Sequence, residues 1–500
     1  MHGLEQKLYQ LIISRLDGER LSSRTYQDGI FELVRKGIGG FIIFGGRRDE
    51  LKGFIDTIQS LSELPLFMAS DIEQGVGQQV TGATRFPPQM AMAAAINRED
   101  PKDIAILRKA LQAIADEAMD IGINMPLIPV LDVNQNPDNP IICTRAFSDS
   151  PETVAWFGSE YVRVLEGAGL ISCAKHFPGH GDSGTDSHIS LPVINKPLRD
   201  LMKTDILPFS EAINAGVSSI MVGHLSIPVI DPGPATLSKS IITGLLRKEL
   251  SFDGLILTDA LSMDALQNVT DIPAECIKAG VDILLHPADA DSTVRGLVAA
   301  IESGDIDEGQ VDMAVERILR VKMKLKKGGK RRFDYREHVE LSSRITDMSI
   351  TLVKGIPGLL PLKDAGETCI IFAGDEGYGT ESPLRNFSGN DVQVFNIKES
   401  EGDRIGGLNT VIFAIFGSVA AWKGSSGIED EEKGRIKECI RRAGKSIVVS
   451  FGSPYVLRHF SEADMLIAAY SVTRQAQHSV VRCLKGEMDF KGKLPVNIEP

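Results

Sequence analysis

Short apolar segments rich in β-branched residues alternate with amphipathic helical segments through the first two thirds of this 500-residue chain. This alternation is typical of parallel strands, because the crossover that joins two parallel strands is usually a helix. Eight such units predict a (β/α)8 TIM barrel, and a doubly wound sheet also fits the periodicity. A short strand at 191–194 would be the eighth. The other seven strands predicted before residue 330 are 37–46, 64–71, 123–133, 170–177, 218–225, 254–260 and 280–287.

Most of these predicted strands finish in a polar or charged residue. TIM-barrel enzymes carry their chemistry at the carboxyl ends of the strands, where the βα loops meet. Six strands that end in this way favour one shared active site, and they favour the barrel. The residues at these ends are Asp71, Asp132, Lys175 with His176, His224, Asp259 and His286.

A second series of apolar segments follows, at residues 368–375, 392–397, 410–417, 446–454 and 465–471. Their continuous apolar composition is typical of strands buried on both faces. A chain of 500 residues also exceeds what one hydrophobic core usually supports. The sequence therefore predicts a TIM-barrel catalytic domain at residues 1–335, followed by a smaller α/β sandwich domain at residues 345–500.

The composition excludes several classes of partner. A net charge of -13 disfavours nucleic acid and anionic membranes, since a phosphate-binding surface needs an excess of Lys and Arg. The start of the chain has scattered charges rather than an apolar signal sequence, and no stretch of 18 apolar residues is present. Six well-separated cysteines without a CxxC pair are typical of a reducing compartment. The prediction is a cytoplasmic enzyme without membrane or nucleic-acid partners, and its oligomeric state stays open.

Residues 175–192, KHFPGHGDSGTDSHISLP, concentrate proton-exchanging side chains among glycines. The imidazoles and carboxylates of His176, His180, Asp182, Asp186 and His188 are of the types that bind zinc or iron. The glycines, however, would leave such ligands on a flexible loop, and no second ligand cluster is obvious in the sequence. A purely structural loop is another alternative. Neither a dinucleotide fingerprint nor a phosphate-binding loop is present, so we expect no cofactor. Because the candidate ligands would lie on a flexible loop without a second cluster, we also expect no metal.

Acid–base catalysis is the interpretation that this segment favours. Asp186 precedes His188 by two residues, and a nearby carboxylate fixes the tautomer of an imidazole and raises its pKa. A mobile glycine-rich loop could carry this proton donor over a substrate. The segment DGLILTDALSM ends its apolar run at Asp259, and a carboxylate there could attack an anomeric carbon.

These motifs resemble those of glycoside hydrolase family 3. The resemblance covers nearly the whole chain and rests on KHFPGHGDSGTDSH, FDGLILTDALSM, DIEQG and the final GKLPV. Within the family, the chain is most similar to bacterial β-N-acetylglucosaminidases of the NagZ type, which act in cell-wall recycling. Family β-glucosidases instead take a glutamate acid/base from the C-terminal domain.

The resemblance implies roles for individual residues. It implies that Asp259 is the nucleophile and His188 the acid/base, with Asp186 as the partner of His188. The substrate-binding residues that it implies are Asp71, Arg145, Lys175, His176 and His224. Since neighbouring residues of a strand face opposite ways, Lys175 and His176 can both reach a sugar only if the strand bulges or has unusual peptide geometry.

The implied activity is retaining hydrolysis of terminal β-linked N-acetylglucosamine from cell-wall or chitin-type oligosaccharides, without a cofactor. An N-acetylglucosaminide phosphorylase, a β-glucosidase and a non-catalytic GlcNAc-binding relative are the alternatives. The chain departs from the family pattern in its second motif, where Gln74 replaces a glycine and Gln79 stands in place of an arginine that often helps to bind the sugar. These departures bear on the fine substrate preference.

Overall fold

A computed structural model defines the fold of the protein. The structure describes residues 3–187, 189–266, 269–325, 332–356, 358–362, 368–387, 393–399, 410–419 and 423–499. The chain divides into two compact units. The first comprises residues 1–85, 108–133 and 150–339, and the second comprises residues 86–107, 134–149 and 340–500.

Helices separate most of the strands along the chain. The strands are β1 Ile12–Asp17, β2 Gly40–Phe44, β3 Phe67–Ser70, β4 Met125–Pro126, β5 Cys173–Phe177, β6 Ser219–Val222, β7 Ser226–Ile227, β8 Asp231–Pro234, β9 Leu255–Thr258, β10 Leu284–Leu285, β11 Thr351–Lys354, β12 Thr368–Gly374, β13 Gln393–Asn396, β14 Thr410–Gly417, β15 Lys445–Gly452 and β16 Met465–Ala468. The helices are α1 Leu4–Gln10, α2 Arg24–Arg35, α3 Arg48–Leu61, α4 Gln89–Ala95, α5 Pro101–Ile121, α6 Pro151–Ala168, α7 Leu198–Thr204, α8 Leu207–Asn214, α9 Ile272–Ala279, α10 Ala290–Glu302, α11 Glu308–Lys322, α12 Tyr335–Ser349, α13 Asp430–Arg442 and α14 Arg474–Leu484, with a π-helical segment at Ser240–Glu249.

Eight parallel strands of the first unit form a closed barrel. Five of them pair in the order β10-β1-β2-β3-β4, and three pair in the order β5-β6-β9. Parallel bridges between Val130 and Lys175 and between Leu257 and Ile283 join the two groups at both seams. Helices follow most of the strands, so the fold predicted from the sequence, a TIM barrel followed by an α/β sandwich, is confirmed.

One strand of the barrel differs from the prediction. The missing eighth strand is β1, whose Ile12, Ile13 and Leu16 are fully buried, and residues 191–194 contribute only an isolated bridge between Val193 and Ser226. Pro192 supplies no N–H to a strand ladder, which explains why this apolar run does not extend. The strand β1 was missed because Arg15 interrupts its apolar run and stays half-exposed.

The second unit is built on one six-stranded sheet. Its order is β11-β16-β15-β14-β12-β13, and all pairs are parallel except the edge pair of β11 with β16. Alternate residues of the strands enter separate cores on the two faces: Ile371 and Phe413 lie in one core, Ile370 and Ile412 in the other. A sheet covered on both faces is what the continuous apolar strands predicted.

Segments from the first half of the chain also belong to this second unit. Residues 86–107 and 134–149 group with it, and Met90 and Cys143 are buried in one of its two cores. These segments lie between barrel strands in the sequence and carry no strand pattern of their own, so a linear reading of the chain does not reveal them. In the part of the chain that the structure describes, no helix combines the length and the apolar character needed to span a bilayer.

Candidate active site

The carboxyl ends of the barrel strands place several predicted residues on one rim. Asp259 follows β9 directly and is half-buried, and its backbone N–H donates to the carbonyl of Val222 in β6 at 2.9 Å. The backbone N–H of Ala260 donates to the Asp259 Oδ1 at 2.7 Å. An accessible carboxylate with one oxygen oriented by a backbone donor is thus present at this rim.

Lys175, in β5, is held by two carboxylates. Its side chain is 2% exposed, and its Nζ lies 2.6 Å from Asp71 Oδ1 and 2.8 Å from Glu73 Oε1. A buried ammonium requires such compensation because taking a charge out of water is costly. The second carboxylate leaves this trio with net negative charge, and Asp71 remains partly exposed to solvent. The partly exposed carboxylate of Asp71 offers hydrogen-bond acceptors to a polar ligand.

His176 is oriented by a different carboxylate. Its Nδ1 lies 2.7 Å from the Asp132 Oδ2, so the ring nitrogen donates to the carboxylate, and its backbone N–H donates to Asp132 Oδ1 at 3.3 Å. The peptide between Lys175 and His176 is cis, and the strand register shifts between Ala174 and Phe177. The expectation of a bulge or unusual peptide geometry at this strand end is confirmed.

Asp132 is the fully buried centre of this network. Besides the two groups of His176, the backbone N–H of His180 donates to Asp132 Oδ1 at 2.7 Å. Burial alone would raise the pKa of the Asp132 carboxyl, but the charge and hydrogen bonds of His176 and His180 outweigh burial and hold this pKa below its ordinary value. A carboxylate thus orients both the strand end and the start of the histidine-rich loop.

The glycines of this loop allow close packing rather than exposure. A Cβ on Gly181 would overlap the Val133 carbonyl oxygen, and a Cβ on Gly179 would lie 2.7 Å from that of Asp205. His180 and Asp186 are almost completely buried. The loop between residues 179 and 187 is therefore packed along much of its length, although its glycine content indicated mobility.

The predicted acid/base residue, His188, lies outside the described residues. Its predicted partner Asp186 is 1% exposed. Elsewhere in the loop, Asp182 pairs with Lys196 at 3.2 Å, and His180 Nδ1 lies 3.0 Å from the Ser183 hydroxyl oxygen. Over the described ranges, no three His, Cys, Asp or Glu side chains are grouped so that they could hold a metal ion.

Arg145 belongs to the second compact unit. It ends the short helix Cys143–Arg145, and its guanidinium donates to the Ile141 carbonyl at 3.2 Å, while its own carbonyl accepts from the Gln89 side chain at 2.8 Å. Its contact with a substrate stays a prediction.

Sequence reasoning missed two residues of the network, Glu73 and Asp132. Each had a signal. Glu73 lies in the quoted DIEQG motif, and a lysine at a buried strand end needs a carboxylate partner. Asp132 stood among the polar strand ends, but nothing in the sequence indicated that it binds His176 rather than a ligand.

We expect Asp132→Asn to destabilise the folded protein by about 3 kcal/mol, because one partner of a buried charged network is lost. Since the pKa of Asp132 is lower in the folded state than in the unfolded chain, its stabilising contribution is fully present above about pH 4. This contribution disappears as the pH falls through the lowered folded-state pKa. Urea denaturation of both proteins across the acid range should show their free energies of unfolding converging at low pH.

The matched control is Asp56→Asn on the exposed face of α3, which should change the stability by less than about 0.5 kcal/mol. If the stability gap between wild type and Asp132→Asn stays constant on acidification, Asp132 does not act as a carboxylate in this network.

Known proteins share this architecture. The family model for the glycosyl hydrolase family 3 N terminal domain matches residues 3–321. The chain is 28% identical to Beta-hexosaminidase A of Pseudoalteromonas piscicida, over 96% of this chain and 92% of that protein. It is 31% identical to a Beta-N-acetylglucosaminidase/beta-glucosidase of Cellulomonas fimi, over 65% of this chain and 61% of that protein.

Solved structures agree with these relatives. A glycoside hydrolase family 3 beta-N-acetylglucosaminidase from Paenibacillus sp. str. FPU-7 is 28% identical, with a TM-score of 0.84 and coverage of 100% of this chain and 99% of that one. The beta-glucoside phosphorylase BglX is 24% identical, with a TM-score of 0.87 and coverage of 99% of this chain and 94% of that one. At this identity the similarity is one of fold. The sequence motifs and the family model therefore indicate the same family, and the model covers more than half of the chain. The protein belongs to glycosyl hydrolase family 3.

Proposed function

We propose that this protein is a retaining β-N-acetylglucosaminidase that releases terminal β-linked N-acetylglucosamine. The observation that carries the proposal is the accessible carboxylate of Asp259 at the carboxyl end of β9, fixed by the Ala260 N–H at 2.7 Å. Barrel enzymes place their reacting groups at this rim. The full-length relative from Pseudoalteromonas piscicida carries the name of a hexosaminidase, which supports the sugar assignment.

The charged networks around β5 support recognition of a sugar ring. Asp71 offers a partly exposed carboxylate, and Lys175 and His176 are each fixed by buried carboxylates. Sugars are bound by such preoriented donors and acceptors, since a fixed polar group pays less entropy on binding. In the proposed complex Lys175 and His176 hold ring hydroxyls, Asp71 binds the far edge of the sugar, and Arg145 contacts the substrate.

In the proposed first step, an oxygen of Asp259 attacks the anomeric carbon while the glycosidic C–O bond breaks. His188, supported by Asp186, donates its proton to the departing oxygen. In the second step His188 removes a proton from water, the water oxygen bonds to the anomeric carbon, and the carboxylate of Asp259 leaves. The two inversions retain the anomeric configuration. All three reacting residues lie within the proposed catalytic domain, residues 1–335.

The natural substrate in this proposal is a cell-wall or chitin-type oligosaccharide. Gln74, a departure from the common motif, accepts a hydrogen bond from the guanidinium of Arg85 at 3.0 Å, and Gln79 Oε1 accepts from the Gly45 N–H at 3.4 Å. The side-chain oxygens of both residues are thus engaged within the protein, and we expect these departures to bear on the fine substrate preference.

A cytoplasmic location is part of the proposal. All six cysteines are free and buried. Cysteines of this kind are typical of a reducing compartment, where disulfides rarely persist.

The test compares nitrophenyl β-N-acetylglucosaminide with nitrophenyl β-glucoside, each with and without inorganic phosphate. We expect the GlcNAc substrate to be cleaved with at least about tenfold higher kcat/KM, because a pocket built for a polar substituent rejects an analogue that lacks it. Product analysis should give free GlcNAc of β configuration at first release. Preferred cleavage of the glucoside would replace the proposal by a β-glucosidase. Sugar 1-phosphate formed in the phosphate arm would replace it by a phosphorylase, and tight GlcNAc binding without turnover would identify a non-catalytic relative.

A further inference from the structure

His224 is predicted from the sequence to line the sugar site, but it offers no surface to a ligand. It follows β6, and its side chain is fully buried. Both of its ring nitrogens have partners inside the protein: Nδ1 lies 2.9 Å from the Thr236 hydroxyl oxygen, and Nε2 lies 3.0 Å from the Ala260 carbonyl oxygen. A side chain placed in this way acts on the protein rather than on a substrate.

The Ala260 carbonyl determines which tautomer the neutral His224 ring adopts. A carbonyl oxygen only accepts hydrogen bonds, so His224 Nε2 carries the proton and donates to Ala260. In the neutral ring Nδ1 is then an acceptor, and the Thr236 hydroxyl donates to it. Thr236 is itself fully buried in the short helix Ala235–Leu237, directly after the hairpin of β7 and β8.

The carbonyl that His224 binds belongs to the residue after Asp259. The N–H of Ala260 orients the Asp259 carboxylate, while the N–H of Leu261 donates to the Leu285 carbonyl at 3.0 Å. The peptide plane between Ala260 and Leu261 is therefore held at both ends, at its oxygen by His224 and at its N–H by Leu285. Loss of either bond would release the Cα atom of Ala260, which this peptide shares with the preceding one, and the preceding peptide carries the N–H that aims the carboxylate.

We propose that His224, with Thr236 behind it, is a positioning residue for the nucleophile of this enzyme. The inference rests on the proposed function, in which Asp259 attacks the sugar. His224 fixes the peptide after Ala260 and so anchors the Cα atom of Ala260, which keeps the Ala260 N–H directed at Asp259 Oδ1. A displacement of about 1 Å in a reacting group can lower a rate by about 10²-fold, so the loss of this support should act on kcat rather than on binding.

The test uses two variants of His224 that both lack the imidazole ring but differ in whether they keep an N–H donor near the position of Nε2. A glutamine carboxamide places its N–H near the position of Nε2, whereas an asparagine carboxamide reaches only the position of Nδ1. We expect His224→Asn to lower kcat by about 10- to 100-fold with KM changed by less than about threefold. His224→Gln, which restores the donor to Ala260, should recover at least about fivefold of that loss. Matched thermal denaturation midpoints of the two variants would remove stability as an explanation.

Thr236 supplies the second arm of the test. Thr236→Val, which is close in shape, removes the hydroxyl that binds Nδ1 of His224, and it should lower kcat by about 3- to 10-fold. Thr236→Ser keeps the hydroxyl and should leave kcat within about twofold of wild type. Equal kcat values for the Asn and Gln variants would overturn the positioning role. A raised KM with unchanged kcat would instead make His224 a substrate-binding residue.

A slow 2-fluoro glycoside distinguishes failure of this inference from failure of the proposed function. In wild type it should label Asp259, as read by mass spectrometry of the labelled peptide. In the His224 variants the same residue should be labelled, only more slowly. A label on another carboxylate in the wild type would refute the proposed function itself, whatever the His224 variants do.

Discussion

Replacing Asp259 by alanine should lower the turnover of a nitrophenyl GlcNAc glycoside by about 10⁴-fold or more, because the covalent route loses its nucleophile. The folded structure should survive the change. Asp259 is half-buried, and the strand that precedes it, β9, is held by backbone hydrogen bonds to β6 that the substitution leaves intact. The expected result is a folded protein that still binds GlcNAc but no longer hydrolyses the glycoside.

Three measurements define this result. Steady-state kinetics gives the loss of kcat, thermal denaturation tests the fold, and competitive binding of GlcNAc tests the site. The matched control is Asp264→Ala, an exposed carboxylate on the same βα loop, which should keep kcat within about twofold. Rescue of the Asp259→Ala variant by added azide, with a glycosyl azide as product, would support a carboxylate nucleophile. Retention of more than a tenth of the wild-type kcat would exclude Asp259 from the reaction.

The barrel was predictable because its strands repeat one physical pattern. Buried parallel strands must be apolar along their length, and their functional residues follow at one end, so both signals can be read from local sequence. The strand β1 was not predicted because Arg15 interrupts its apolar run. The Arg15 side chain is partly exposed to solvent and lies over the Phe44 ring. Local composition cannot distinguish such a strand from a loop.

The network behind the site was less predictable, because it depends on contacts between residues far apart in sequence. A buried lysine such as Lys175 was expected to have a carboxylate partner, but the sequence did not indicate how many. The structure shows two, Asp71 and Glu73. His224 illustrates the same dependence on distant contacts. Its place at a strand end suggested a ligand contact, while its orientation toward Ala260 depends on the path of the following loop.

Removal of His188 should produce a defect that depends on the leaving group. The general acid protonates the departing oxygen, and this kind of catalysis typically contributes about 10²–10⁴-fold. A nitrophenolate leaves well without a proton, so the first step on a nitrophenyl substrate should slow by less than about tenfold in His188→Ala. A GlcNAc disaccharide needs a full proton, and its cleavage should slow by about 10²–10⁴-fold. Pre-steady-state measurement of nitrophenol release isolates the first step from the slower second one.

Asp186→Asn is the companion change, because it keeps the imidazole but removes the carboxylate that raises its pKa in this proposal. We expect a smaller defect than that of His188→Ala on the disaccharide, together with a fall of kcat/KM at lower pH than in wild type, since the acid loses its proton earlier as the pH rises. The buried position of Asp186 makes thermal denaturation a necessary control. If His188→Ala slows both substrates equally, the missing group is not the acid. The histidine-rich loop would then need testing for a bound metal, by chelation and elemental analysis of the full-length protein.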